Sequence, residues 1–474
     1  MSEKKKFEIP TTCALMFMLM IICAVATWII PAGAYDMEKV GNLNRVVAGT
    51  YHVVPSSPQG FWETCMGVVQ GAYKAAKLMF MIMFCGGAVE LLQKTGSIEA
   101  AFGKLASKKN LNVKILVFLV MLFMSIGGAA GVFANPTVAL VPIGMILATS
   151  LGYDNFTGFL LVYMGAYSGF NVGWANPSTI GTAQPIAELP IFSGLGVRVI
   201  IHIINFFMCY YFTLRYMKMV KNDPTKSLNA EEGLDPSQYM GMQSEGNANV
   251  ALEEKEGKMS WKHTLSLFSL AVAIGVILIG SIKFNWSYDQ MSTTFFIVAV
   301  IVGLVNGLGV NGTTKAFIGG CGKMANAAFI VGFANGVSII LANGKILNTI
   351  VYWLSIPMGY MGPVLGANFM FIANLFINFL IPSGSGQAVA VMPLMVPVAD
   401  LVGITRQVAV QAFQYGDGFS NCIFPTAGTL MGSLAIAKTD WARYAKWMLP
   451  LLGCQIILSI ISITILQIIG WTGL

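Results

Sequence analysis

Charge is scarce in this chain. Of its 474 residues only 10% are Asp, Glu, Lys or Arg, while 56% are apolar. A water-soluble domain carries about a quarter charged residues. This chain cannot clothe itself for water, so a soluble enzyme is excluded. Disorder is excluded as well, because disordered segments are poor in apolar residues. Histidine is equally scarce: His52, His202 and His263 lie far apart and form no ligand cluster. The eight cysteines (Cys13, Cys23, Cys65, Cys85, Cys209, Cys321, Cys422 and Cys454) include no CxxC pair and fall mostly in apolar runs. They read as small hydrophobic residues, not as disulfides or metal ligands. There is no Walker A sequence, no nucleophile–His–acid set and no haem or zinc spacing. No enzyme activity and no cofactor are expected. The surplus of 28 Lys+Arg over 21 Asp+Glu sets orientation in a membrane protein, so nucleic acid is not an expected partner.

Long apolar runs are what the chain does have. They cover 12–32, 78–93, 114–134, 136–151, 155–187, 193–214, 263–282, 292–309, 328–343, 364–381, 388–402, 405–430 and 446–470. The length suits roughly nine or ten crossings at about 20 residues each. The fold class is an all-α polytopic membrane protein in a lipid bilayer. The first run follows Lys4-Lys5-Lys6 and reads as a retained transmembrane helix, not a cleaved leader. Residues 33–70, with Pro55, Pro58 and Gly60, read as an extramembrane loop ending in an interfacial helix. Residues 215–262 are polar and read as a cytoplasmic linker between two halves.

The two halves resemble each other. Gly71-Ala72-Tyr73-Lys74-Ala75-Ala76 matches Gly320-Cys321-Gly322-Lys323-Met324-Ala325. Val138-Ala139-Leu140-Val141-Pro142 matches Val389-Ala390-Val391-Met392-Pro393, and Gly169-Phe170 matches Gly418-Phe419. Several matches in order at a nearly constant offset point to a repeat. Parity then suggests how the halves sit. If 114–151 and 364–402 are re-entrant hairpins, the first half (1–214) crosses four times. The helix 263–282 becomes a connector that turns the second half (283–474) upside down, as in inverted-repeat transporters. This places the N-terminus in the cytoplasm and the C-terminus outside. It also puts most Lys and Arg inside, as the positive-inside rule requires.

Irregular backbone at membrane depth survives only where protein buries it or a cavity solvates it. Four polar, Gly/Pro-rich segments fall at such depth. Two are hairpin tips: Ala134-Asn135-Pro136-Thr137 and Pro382-Ser383-Gly384-Ser385-Gly386-Gln387. Two are breaks within 155–187 and 405–430: Asn171 to Thr179, and Gly416-Asp417-Gly418-Phe419-Ser420-Asn421 followed by Pro425-Thr426. Helix arms that start at a tip aim unpaired N–H groups at the midplane, where they suit a carboxylate. Unwound carbonyls and Ser, Thr and Asn oxygens suit Na⁺. The candidate substrate or ion contacts are Asn135, Thr137, Ser383, Ser385 and Gln387 at the tips, where Na⁺ would sit. Asn171, Asn176, Ser178 and Thr179 come from the first break, and Asp417, Ser420, Asn421 and Thr426 from the second. Asp417 is the sharpest of these, because an acid inside a membrane run is costly.

The runs Ile381-Pro382-Ser383-Gly384-Ser385-Gly386-Gln387-Ala388 and Phe413-Gln414-Tyr415-Gly416-Asp417-Gly418-Phe419-Ser420, with the opening Trp28-Ile29-Ile30-Pro31-Ala32-Gly33, carry a resemblance. They resemble the YfcC-like branch of the DcuC-type (C4-dicarboxylate anaerobic carrier) family. That resemblance implies a bacterial inner-membrane protein of the ion-transporter superfamily. It also implies a homodimer whose transport domains move by an elevator motion, and dicarboxylates or basic amino acids as cargo. This chain departs from the branch at the first tip, where Asn135-Pro136 replaces two adjacent glutamates. With Asp417 as the obvious buried charge, a zwitterionic amino acid or small carboxylate suits it better than a dication. The leading expectation is a secondary active transporter of a small amino acid or carboxylate, coupled to Na⁺ or H⁺ or working by exchange. The alternative is a Na⁺/H⁺ exchanger or channel with no organic cargo. A non-transporting sensor is supported only by the polar linker.

Overall fold

A computed structural model describes residues 12–40, 43–47, 49–97, 100, 112–134, 136–230, 236, 240, 259–284 and 286–473. Most of the linker lies outside the described residues, and so does Asn135.

The described chain is mainly helical. The first half contains α1 (Thr12–Ile29), α2 (Phe61–Lys94), α3 (Val113–Ala129) and α4 (Thr137–Ser150). A composite helix, α5, follows; it joins Asn155–Phe159, a π-helical Leu160–Met164 and Gly165–Phe170. Then come α6 (Ile180–Ile186) and α7 (Leu195–Asn222). After the linker come α8 (Trp261–Phe284), α9 (Tyr288–Val305), α10 (Gly309–Asn343), α11 (Leu347–Ser355), α12 (Pro363–Leu380), α13 (Gly384–Val402), α14 (Arg406–Ser420), α15 (Gly428–Ile436) and α16 (Trp441–Ile468). Among the described residues, seven helices are long and apolar enough to cross a bilayer: α2, α7, α9, α10, α12, α13 and α16. The protein is a multi-pass membrane protein.

Several boundaries differ from those read in the sequence. The run 78–93 is only the second part of α2, which starts at Phe61. Half of a capping box marks that start: Gly60 N–H donates to Glu63 Oε2 at 3.0 Å. Among the described residues of 33–60 there is no separate helix ahead of it. Residues 33–53 hold two small antiparallel ribbons instead, pairing 33–34 with 52–53 and 37–40 with 43–46. Runs 292–309 and 328–343 become α9 and the second part of α10. They are parted by Gly307 and Gly309, both with positive φ (73° and 65°).

The helices of 114–151 and 364–402 form at the expected places. At about 1.5 Å per residue each spans roughly 20–30 Å, just short of or equal to a hydrocarbon core of about 30 Å. The second pair, α12 and α13, is antiparallel, with Gly366 near the start of one against Val402 and Ile404 at the end of the other.

Two groups of helices emerge from the packing. In one, α2 and α10 pack along each other, α1 lies on α10 and α9 lies on α2. At their crossing a Cβ on Gly71 would stand 2.4 Å from Gly336 N, so the backbones touch there only because both residues lack side chains. In the other group α3 packs on α5 and α12 on α14. Likewise α5 meets α7 as α14 meets α16, and α4 meets α5 as α13 meets α14. Helices α4 and α15 seat this second group on α2 and α10.

Candidate functional site

Helix α14 is buried on every side from Gln407 to Ser420. Thr405 caps its start, accepting from Val408 N–H. The helix stays wound through Gly416–Ser420, and the irregular gap is 421–427, ahead of α15. This corrects the sequence expectation of unwound backbone at Gly416–Asn421. The two glycines serve close approach instead. A Cβ on Gly416 would stand 2.3 Å from Asn374 Cβ on α12, and one on Gly418 would stand 2.5 Å from Asn171 Cα.

Asp417 thus sits in the last turn of a wound helix. It is 0% exposed, and neither carboxylate oxygen has a hydrogen-bond partner. The other fully buried acid among the described residues, Asp154, makes the contrast. Its oxygens accept from Thr157 N–H and O–H, Tyr216 O–H and Ser227 O–H at 2.5–2.9 Å. Asp154 is a satisfied helix cap. Asp417 is a buried carboxylate that faces the start of α13 without a hydrogen-bond partner among the described residues, a costly arrangement unless a guest answers it.

The surroundings of Asp417 come from three of the four irregular segments. A Cβ on Gly384, the first residue of α13, would stand 3.1 Å from Asp417 Oδ2 and 2.4 Å from Thr179 Cγ2. The second tip, the end of the first break and the end of α14 therefore meet at one point. Thr179 is buried and its hydroxyl has no partner. The first break, 171–179, lies between α5 and α6, and its Asn171 touches Cys422 of the second gap, with Nδ2 3.5 Å from Sγ. Gln414 Nε2 donates to Phe170 O at 2.8 Å and ties the same segments together. The chain at the end of α3, ahead of the first tip, joins the first break. Ala175 N–H donates to Ala129 O at 3.2 Å, and Gly131, with φ +76°, leaves room for Asn176.

The expected site residues divide by what their side chains do. Asp417, Thr179 and Thr426 are buried with unpartnered oxygens. Asn176 is buried with Nδ2 unpartnered, while its Oδ1 accepts from Ser178 N–H at 2.9 Å. Gln387 donates to Asn374 O and Oδ1, both at 3.0 Å, and keeps Oε1 unpartnered. Ser420 and Asn421 are spent on the helix end: Ser420 O–H donates to Gly416 O at 2.5 Å and Asn421 Nδ2 to Asp417 O at 2.8 Å. Thr137 donates back to Phe133 O. Ser383 caps α13, accepting from Gly386 N–H at 3.3 Å. Ser178, Ser383 and Ser385 are exposed.

Asn378 was not singled out in the sequence. It donates to Ser420 Oγ at 2.6 Å and to Asp417 O at 3.1 Å, so it braces the turn that carries Asp417. Its signal is present: Asn374 and Asn378 stand at i, i+4 in the mostly apolar run 364–381. His202 accepts from Trp174 Nε1 at Nδ1 (2.9 Å) and lies 2.6 Å from Ser125 Oγ at Nε2.

Among the described residues no cluster of three His, Cys, Asp or Glu could hold a metal ion. A cavity of about 170 Å³ lies apart from Asp417, where α2 and α10 face α4 and the ends of α5 and α15. The Glu90–Lys323 ion pair (2.6 Å) borders it.

Comparison with known proteins agrees with a transporter. Residues 9–468 match the C4-dicarboxylate anaerobic carrier family, DcuC. YfcC of Escherichia coli (strain K12), provisionally named a basic amino acid antiporter, is 30% identical over 98% of both chains. An uncharacterized protein of Haemophilus influenzae is 25% identical, also over 98% of both. The solved structure of Neisseria gonorrhoeae MtrF, presented as illuminating a class of antimetabolite efflux pumps, gives a TM-score of 0.38 at 18% identity, covering 98% of this chain and 96% of that one.

Proposed function

We propose that this chain, which belongs to the C4-dicarboxylate anaerobic carrier family in its YfcC-like branch, is a secondary active transporter of a small amino acid or carboxylate. Na⁺ or H⁺ drives it, or a second solute is exchanged. The observation that carries this reading is Asp417, buried and unpartnered beside the first residue of α13. An α-amino acid has one charge for each feature. Its ammonium suits the Asp417 carboxylate, and its carboxylate suits the free N–H groups at the start of α13. The Thr179 and Thr426 hydroxyls, both without partners, supply further contacts for cargo or cation. A solute with two positive charges would need a second acid. Among the described residues the only other fully buried one, Asp154, is already saturated.

The packing supports a moving unit built from two related halves. Corresponding helices make corresponding contacts, as α1 on α10 answers α9 on α2 and α3 on α5 answers α12 on α14. The group holding both tips and both breaks would travel as an elevator against α1, α2, α9 and α10. The 170 Å³ cavity between the groups supports a seam there. We place the protein in the bacterial inner membrane as a homodimer, with the N-terminus cytoplasmic and the C-terminus outside.

Proteoliposomes carrying the purified protein test the reading. A panel of amino acids and mono- and dicarboxylates is offered under imposed Na⁺ or pH gradients. The expected result is gradient-driven or exchange-driven accumulation of a monoamino acid or small carboxylate. Cation flux with no organic solute carried would replace the proposal with a Na⁺/H⁺ exchanger.

A further inference from the structure

A third buried charge, this one basic, lies away from both acids, and nothing above uses it. Arg198, in the first turn of α7, is 0% exposed. Its Nε donates to Gln411 Oε1 at 2.6 Å and its Nη1 to Ser193 O at 2.5 Å. The guanidinium stacks on Trp471, with its carbon 5.4 Å from the ring centroid. All of these contacts are with neutral groups. Arg198 makes no ion pair among the described residues. The acids on neighbouring segments, Glu188 and Asp400, are held by the more exposed Arg406 at 2.6 and 2.8 Å.

Two donors are left over. Arg198 Nη2 is buried without a partner, and so is Gln411 Nε2. The two side chains are joined by the Nε–Oε1 hydrogen bond, so the orphaned donors belong to one bonded pair. A guanidinium removed from water with neither counter-charge nor full hydrogen bonding carries an uncompensated desolvation penalty. Buried charges that persist are paired. Among the described residues both unsatisfied atoms of this pair are donors and no acid pairs with the guanidinium, so the missing partner is an acceptor with negative charge.

We infer that Arg198 Nη2 and Gln411 Nε2 bind a small monovalent inorganic anion of the halide class, chloride being the probe of choice. A one-atom anion supplies the missing acceptor and brings no second polar end that would itself need burial. The site is on the α7 and α14 faces that meet Ser193 and Trp471, and it is independent of the cargo assigned to Asp417. It joins α7, α14 and the segment after α16, so occupancy stabilises the folded protein.

Thermal unfolding of the purified full-length protein tests this. Melts are run in NaCl, NaBr, sodium acetate and sodium gluconate at equal ionic strength. Chloride and bromide raise the midpoint saturably above gluconate, because a ligand that binds only the folded state stabilises it. Arg198→Gln abolishes that difference. Gln411→Glu covers the case in which Arg198→Gln does not fold: it places a carboxylate beside the guanidinium, so the midpoint in gluconate rises to at least the wild-type chloride value and the halide response disappears. Equal wild-type melts in chloride and gluconate overturn the inference. So does a full chloride response in Gln411→Glu, and acetate matching chloride overturns the halide assignment. A bromide anomalous peak beside Arg198 in crystals is the direct positive result.

Discussion

Asp417 and Asp154 are two fully buried carboxylates in one protein with opposite fates. One is saturated by four donors and closes a helix start; the other has none. Sequence position hints at the difference, because Asp417 lies between glycines within an apolar run whereas Asp154 precedes a helix. Gly418 is needed for geometry as much as Asp417 is for charge. Its α-carbon presses on Asn171, and an added methyl would collide with main-chain atoms at 2.5–2.9 Å. Gly418→Ala is expected to cost about 1–3 kcal/mol through overpacking, read as a lower melting midpoint, with solute uptake reduced as the two breaks separate. An unchanged melt would show that this contact is not tight. Arg198 escaped notice in the sequence for a physical reason. It stands at the head of the apolar run 193–214, where a basic residue normally snorkels to the interface. Its burial comes from Gln411 and Trp471, more than two hundred residues away.

At the scale of elements, the two helix pairs and the two interrupted helices were legible, because Gly/Pro-rich polar segments interrupt apolar runs at known spacing. Their boundaries within the second interruption were not. Gly416 and Gly418 look like helix breakers by propensity, yet tertiary contact with Asn374 and Asn171 keeps α14 wound. Ser420 and Asn421 were expected as ligands, but they spend their groups on the end of that helix. The contact between α2 and α4 offers a test of motion. Native Cys85 on α2 lies with Sγ 2.6 Å from Ala139 O on α4. In Ala139→Cys, bridging the two thiols with Hg²⁺ should lock the moving group and arrest uptake, and excess thiol should restore it. Wild-type protein treated alike is the control. Full uptake by a demonstrably bridged variant would mean that α2 and α4 do not slide past each other.

For the whole molecule, scarcity of charge foretold the membrane, and the seven helices long and apolar enough to cross a bilayer among the described residues agree. The proposed correspondence between halves rests on residues such as Gly169-Phe170 and Gly418-Phe419. How the tips meet the breaks was not legible in the sequence, since Gly384, Thr179 and Asp417 come from three separate segments that only folding joins. The account turns on the unanswered carboxylate at that junction. Its most direct test is the affinity of the transported solute, once the uptake panel has identified it, for wild-type protein and for Asp417→Asn, measured by calorimetry on purified protein. Removing a charge-assisted hydrogen bond should weaken binding by about tenfold or more and lower uptake in parallel. Equal affinity and equal uptake in the two proteins would contradict the account.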